Sequence, residues 1–302
     1  MNLYQQVSSN RHKTWLLVGL SASLLLLVGF VFSRVQDNPI WLFLALAYTL
    51  ISSLVSYWWS DKIVLAMSQA KLVEKADSPQ LYRLVENLCI ASGLPTPKIY
   101  VIPDSAPNAF ATGRDAEHAA VAFTSGLLEK LDKAELEGVI AHELSHIGNC
   151  DILLATMVSV LVGIIVLLAD WFARWSLWGG NSRKNNDNDN NQVQAIFSII
   201  AIILAILAPL FAQMIQLAIS RKREFMADAD AALLTRYPDG LIRALEKISA
   251  DPEPLEVANR ATAHLYFASP FQGKEGVPAM AKLFMSHPPV TERIAALKGI
   301  KL

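Results

Sequence analysis

Residues Asp132 to Ile147 read DKAELEGVIAHELSHI, and this stretch decides what the chain can build. Asp132, with Glu135 three residues on, is the signature of a capped helix start. Leu136, Val139, Ile140, Leu144 and Ile147 keep helical spacing and predict one apolar face. His142 and His146 lie four residues apart, so they share a face about 6 Å apart along the axis. Two imidazoles can then point at one metal ion. Glu143 stands one step round the helix, beside the ion rather than on it. That arrangement suits zinc chemistry, with a carboxylate placed to take a proton from water. The plainer reading, two surface histidines on a solvated helix, fits the apolar spacing around them poorly.

Composition sets the wider frame. The chain has 302 residues, 53% of them hydrophobic, and a mean hydropathy of +0.34, which argues against a wholly soluble protein. A formal net charge of −1 gives no basis for nucleic-acid binding. Two cysteines, Cys89 and Cys150, are too few for a disulfide framework. Cys150 follows His146 by four residues and invites a reading as a ligand. It also stands beside Asp151 where a span begins, and a small apolar role suits it better.

Four segments are long and apolar enough to cross a bilayer. They are Trp15 to Phe32, Pro39 to Ser60, a third from Ile152 to Ala169 extending towards about 175, and a fourth over 193–220 with Pro209 as a kink. The first has no convincing cleavage site and is read as a retained anchor. The spans form two hairpins, so the chain divides into 1–60 (hairpin), 61–151 (polar), 152–220 (hairpin) and 221–302 (polar). An even number of spans between the polar blocks puts them on one side, where they can build a single domain. Arg11, Lys13 and Arg221 to Arg223 outweigh Arg34, Arg174, Arg183 and Lys184 near the turns, which places that domain and both termini in the cytoplasm. The Asn- and Asp-rich stretch 181–192 reads as a disordered loop.

The first polar block reads as mixed α/β. Ser78 and Pro79 open a helix that Gly93 closes, and Lys98 to Ile102 and Ala119 to Phe123 read as short strands. The second block reads as helical, with Asp239 and Thr291 as caps. The fold class expected is α+β: four transmembrane helices and a mainly helical zincin-type domain with a small sheet.

A catalytic zinc takes three protein ligands and keeps one position open. The best third candidate is Glu224, just after the fourth span. If the His142 helix runs on into the third span, and the third and fourth spans are antiparallel neighbours, Glu224 emerges beside it. Asp228, one turn beyond, is placed to accept the second ring N–H of a ligand histidine. The alternative is that Glu224 and Asp228 simply balance Arg221 to Arg223.

The motif set resembles the HtpX-like family of integral-membrane gluzincin peptidases, with the CAAX prenyl endopeptidases as more distant relatives. The residues that carry this are Pro107 to Gly113, the HELSH segment, Glu224 to Asp228, and Ser286-His287-Pro288-Pro289 with Arg293. The likeness covers roughly 75–300 and the four-span layout; the first 14 residues are longer and more polar than the pattern. It implies that His142, His146 and Glu224 hold one zinc per chain and that Glu143 is the general base. It implies too that Asn108, Ala109 and Phe110 border the substrate cleft as an edge for an extended peptide, and that His287 and Arg293 stabilise the oxyanion. A loop histidine before a Pro-Pro turn is the alternative for His287. His12, His118 and His264 receive no role.

The activity implied is a bacterial inner-membrane endopeptidase, acting from the cytoplasmic face on misfolded or damaged membrane proteins in quality control and the stress response. Its partners would be polypeptides and the lipid bilayer. Alternatives are a processing peptidase for one substrate, a four-span metal transporter and a pseudopeptidase scaffold. The transporter is disfavoured because the spans are nearly free of charge and the His and Glu residues lie at their ends. An intact Glu143 argues against the scaffold.

Overall fold

The computed structural model describes residues 3–35, 37–161, 221–259, 261–270 and 288–300. Helix α1 (Leu3–Val35) and α2 (Ile40–Met67) pack as an antiparallel hairpin. Both are long and apolar enough to cross a bilayer. Trp15, Leu16, Phe43, Leu44, Leu50, Ile51 and Leu54 point outwards from this hairpin, the opposite of a water-soluble pair and suited to lipid. α2 runs seven residues past the expected end at Ser60, because Val64 and Leu65 are buried in the neighbouring domain.

That domain is built on a sheet of order β1-β2-β4-β3, from β1 (Lys71–Leu72), β2 (Lys98–Ile102), β3 (Ala109–Gly113) and β4 (Ala119–Thr124). β2 and β4 are parallel; the other pairs are antiparallel. The expected strands stand, β4 one residue longer. Strand β1 carries no periodic signal at two residues, and β3 entered the reading only through the family likeness. Both faces of the sheet are covered, so β4 reads as an unbroken apolar run rather than an alternation. Ala119, Val121 and Phe123 face one core; Ala120 and Ala122 face the other with Phe110 and Tyr266.

The first of those cores is roofed by α3 (Pro79–Ser92) and α5 (Lys133–Gly148), with the short α4 (Ser125–Lys130) between β4 and α5. α3 begins with proline at its first position and ends at Gly93, whose φ of 71° is the left-handed stop expected of it. α7 (Arg221–Thr235), α8 (Pro238–Ala250) and α9 (Val290–Lys298) pack on the same core, so these helices share one interior with α3, α5 and the sheet. Asp239 and Thr291 are not the caps: α8 is capped at Tyr237 and α9 at Pro289. Pro238 explains the shift in α8, since its fixed φ suits a first helical turn and it has no N–H to satisfy.

The expected continuity of the His142 helix into the third span needs correction, and 162–175 of that span lie outside the described residues. α6 (Asp151–Leu161) does not continue α5: the two helices meet at 86°. Asn149 caps α5, and Cys150 takes a left-handed φ of 55°, which ends the helix within one residue. Counting this bent pair as one span gives at most three candidate spans among the described residues. The fourth expected span, 193–220, and the loop 181–192 lie outside them.

Candidate metal centre

α5 is fixed at its start by a reciprocal capping box. Asp132 accepts the Glu135 N–H at 2.9 Å, and Glu135 accepts the Asp132 N–H at 2.8 Å. Glu135 is buried and also takes Lys247 at 2.7 Å, which ties α5 to α8. The two helices touch closely: a Cβ on Gly138 would lie 2.8 Å from the Leu241 amide nitrogen. With its apolar stripe buried, α5 presents His142, Glu143 and His146 to α7, which carries Glu224.

His142 Nε2 and His146 Nε2 lie 3.2 Å apart. Glu224 Oε2 is 3.7 Å from the first, and Oε1 is 3.6 Å from the second. Among the described residues these three side chains form the group able to hold a metal ion. Ligand atoms of a tetrahedral zinc site, each about 2.0–2.1 Å from the ion, are themselves about 3.3 Å apart. The spacing fits.

The outward nitrogens are equally informative. His142 Nδ1 faces Asp228 Oδ1 at 3.0 Å, and His146 Nδ1 faces Asp151 Oδ2 at 3.2 Å. A carboxylate accepts only, so both Nδ1 atoms are donors, and in neutral rings both Nε2 atoms turn lone pairs towards each other. Two such lone pairs at 3.2 Å repel; a proton on one Nε2 or a cation between them relieves this.

Electrostatics agree. Burial carries His142 down to about 4, although Asp228 pulls the other way. Burial also opposes the charge on His146, but Asp151 and Glu224 override it and raise this ring to about 9. The two rings together hold one positive charge, in the place a divalent ion would take. Glu143 is pushed up to about 7 by burial, with His146 opposing and Glu224 adding to the rise. The Ala111 amide of β3 faces its carboxylate. An acid near 7 both accepts and returns a proton at neutral pH.

Other expected residues fall as follows. Asp228 sits behind His142, and Arg293 clamps it with Nε at 2.8 Å and Nη2 at 2.6 Å. The Arg293 guanidinium also donates to the Phe267 carbonyl at 3.1 Å and is itself buried. It lies on the Nδ1 side of His142, with Nη2 3.4 Å from that nitrogen and Nη1 3.9 Å from Glu224 Oε2. Asn108 is not free: its side chain bonds both backbone groups of Ala268, at 3.0 and 3.1 Å. The Ala109 carbonyl on the outer edge of β3 accepts the Phe267 N–H at 2.8 Å. Phe110 turns its ring into the opposite core against Tyr266, because alternate strand residues face opposite ways. His287 lies outside the described residues. Cys150 supplies the left-handed backbone of the bend. His12, His118 and His264 bond Ser8, Asp115 and Ala155 away from the centre.

Two neighbours were missed by sequence reasoning. Phe267 stacks edge-on against the His142 ring at 4.9 Å, from a loop with no motif. Asp151 follows His146 by five residues, which on a straight helix is about 140° round the axis. The 86° bend swings it back to the ring.

Two histidines four apart on one helix and a glutamate from a second helix thus form a candidate metal site. Residues 75–301 match the model of Peptidase family M48, and the chain belongs to that family. It is 43% identical over 296 residues to the protease HtpX homolog of Dictyoglomus thermophilum, covering 98% of this chain and 94% of that one. The protease HtpX homolog of Lactobacillus acidophilus is 42% identical over 301 residues, covering 98% and 99%. The crystal structure of S. mikatae Ste24p aligns with a TM-score of 0.48 at 20% identity, over 97% of this chain and 67% of that one. The chain is therefore a metalloprotease, and its apolar helices suit a membrane-embedded one.

Proposed function

We propose that this chain is a zinc-dependent endopeptidase that hydrolyses extended segments of damaged or misfolded membrane proteins at the cytoplasmic face of a bacterial inner membrane. The observation that carries the reading is the convergence of His142 Nε2, His146 Nε2 and Glu224, with a carboxylate behind each ring. His142, His146 and Glu224 would hold the ion. When bound, zinc supplies a Lewis acid that acidifies water and draws charge onto the scissile carbonyl oxygen.

The remaining chemistry belongs to the chain. Glu143 accepts the proton of the attacking water and delivers it to the leaving amine. Its burial keeps that proton from exchanging with bulk solvent. Asp228 holds the His142 ring in the tautomer that frees Nε2, and Arg293 keeps Asp228 ionised. This favours an anchoring role for Arg293 over the oxyanion role that the family likeness implies. β3 ends the sheet and its Ala111 amide faces Glu143; Phe267 already takes the Ala109 carbonyl, so an extended peptide would meet this edge at Ala111, beside the carboxylate. The basic residues at the start of α7 and near the start of α1 support the cytoplasmic placement.

The test is Glu143→Gln in the purified full-length protein. An amide cannot take up the proton, so zinc content and fold should persist while cleavage of unfolded membrane-protein substrates is nearly lost. Cleavage close to that of the parent would remove Glu143 from the reaction.

A further inference from the structure

Asn10 has no place in the ligand set or in the catalytic machinery, yet it is buried at 4% exposure in a polar stretch of α1 that precedes the first apolar span. Its Nδ2 donates to Asp151 Oδ1 at 2.6 Å and to the Asn149 carbonyl at 3.4 Å, 141 and 139 residues away in sequence. Its Oδ1 accepts Arg223 Nη1 at 3.4 Å, and the same Nη1 reaches Asp151 Oδ1 at 3.1 Å. The two oxygens of Asp151 therefore have different duties. Oδ1 is held by Asn10 and Arg223; Oδ2 faces His146 Nδ1 at 3.2 Å. Three elements meet at this one carboxylate: α1, the bend between α5 and α6, and the residue before Glu224 on α7.

We propose that Asp151 is the positioning residue of His146, and that Asn10 of the amino-terminal helix holds Asp151 in place, so that the metal centre is completed by the segment preceding the first span. A neutral imidazole offers only one lone pair, and a carboxylate at Nδ1 puts that lone pair on Nε2. A single aspartate following a left-handed residue at a helix break has rotamer freedom of its own. Anchoring one oxygen removes it. The site is then symmetric in logic: Arg293 holds Asp228, which holds His142; Asn10 and Arg223 hold Asp151, which holds His146.

This inference rests on the ligand assignment above, and the experiment separates the two. Full-length protein in detergent, carrying Glu143→Gln to prevent self-cleavage, is compared with the same protein further changed by N10A, D151N, D151A or H146A. Zinc affinity is read by chelator competition, the ligand field by the visible spectrum of the cobalt(II) form, and apo stability by thermal unfolding. D151A should weaken zinc binding by about 10- to 100-fold, and N10A, one shell further out, by about threefold or more. The cobalt band should shift in both, while apo N10A unfolds close to the parent. D151N keeps an oxygen acceptor and folds most nearly like the parent, so it reports on orientation if D151A is unstable; it should fall between parent and D151A.

Zinc affinities and cobalt spectra indistinguishable from the parent in N10A, D151N and D151A, with H146A losing the metal, would overturn this inference alone. A parent that binds no zinc would overturn the ligand assignment and this inference with it.

Discussion

Replacing Arg293 by methionine distinguishes anchoring from oxyanion binding. Asp228 is almost fully buried and accepts three bonds, two from Arg293 at 2.8 and 2.6 Å and one from His142 at 3.0 Å. Methionine fills much of the guanidinium's volume, so the cavity contribution is small. What is lost is the charge partner of a buried carboxylate and the donor to the Phe267 carbonyl. Breaking a buried pair from one side costs about 3–5 kcal/mol. For a chain of this size that is roughly a 10 °C fall in the apo unfolding midpoint. The Asp228 carboxyl is opposed by burial, but Arg293 holds it below the ordinary carboxylate range. Its contribution is therefore present above the unfolded-state value of about 3.9 and fades as pH falls through the lower folded value, so the deficit should shrink in acid. D228L/R293M removes both charges and should recover most of the stability. It should not recover zinc affinity, because His142 still lacks its carboxylate. Circular dichroism of the metal-free protein in detergent and chelator competition read the two quantities. A single variant as stable as the parent but slow at saturating zinc would refute anchoring and restore the oxyanion role.

Further expectations can be checked with the same protein. Glu224→Ala should abolish stoichiometric zinc binding in metal analysis, because two imidazoles alone leave the site short of a ligand; full retention would return Glu224 to a charge-balancing role. Gly138→Ala drives a methyl to 2.8 Å from the Leu241 backbone, and thermal unfolding should show a loss of about 1–3 kcal/mol from separating α5 and α8; no loss would mean that the helices are not in contact. For orientation, cysteine at Asn186 should react with an impermeant reagent in spheroplasts, and cysteine at the exposed Ser249 should not. The reverse pattern would place the catalytic domain outside the cytoplasm.

Much of the site was legible because its information is local. The capping box at Asp132 and Glu135, the four-residue spacing of His142 and His146, the Pro79 and Gly93 limits of α3 and the strand at Lys98 to Ile102 each depend on neighbours within a turn or two, and periodicity reports those directly. One-turn spacing beyond a candidate ligand also pointed to Asp228 as a partner for a ligand histidine, and packing decided that the ring is that of His142. The sequence by itself thus determined the chemistry on offer: two imidazoles, a base between them and a distant carboxylate to close the set. Tertiary structure decided which carboxylates stand behind the rings and what lies over them. Asp151 reaches His146 only because the chain turns through 86° at Cys150, and Asn10 reaches Asp151 only because α1 packs back on that bend. The same packing gave Arg293 to Asp228 and the Ala109 edge to Phe267. Apart from Asp151 and His146, these contacts join residues 65 to 160 positions apart, where helical or strand period carries no signal, and they are set by how buried faces dock rather than by how any one segment is spelled.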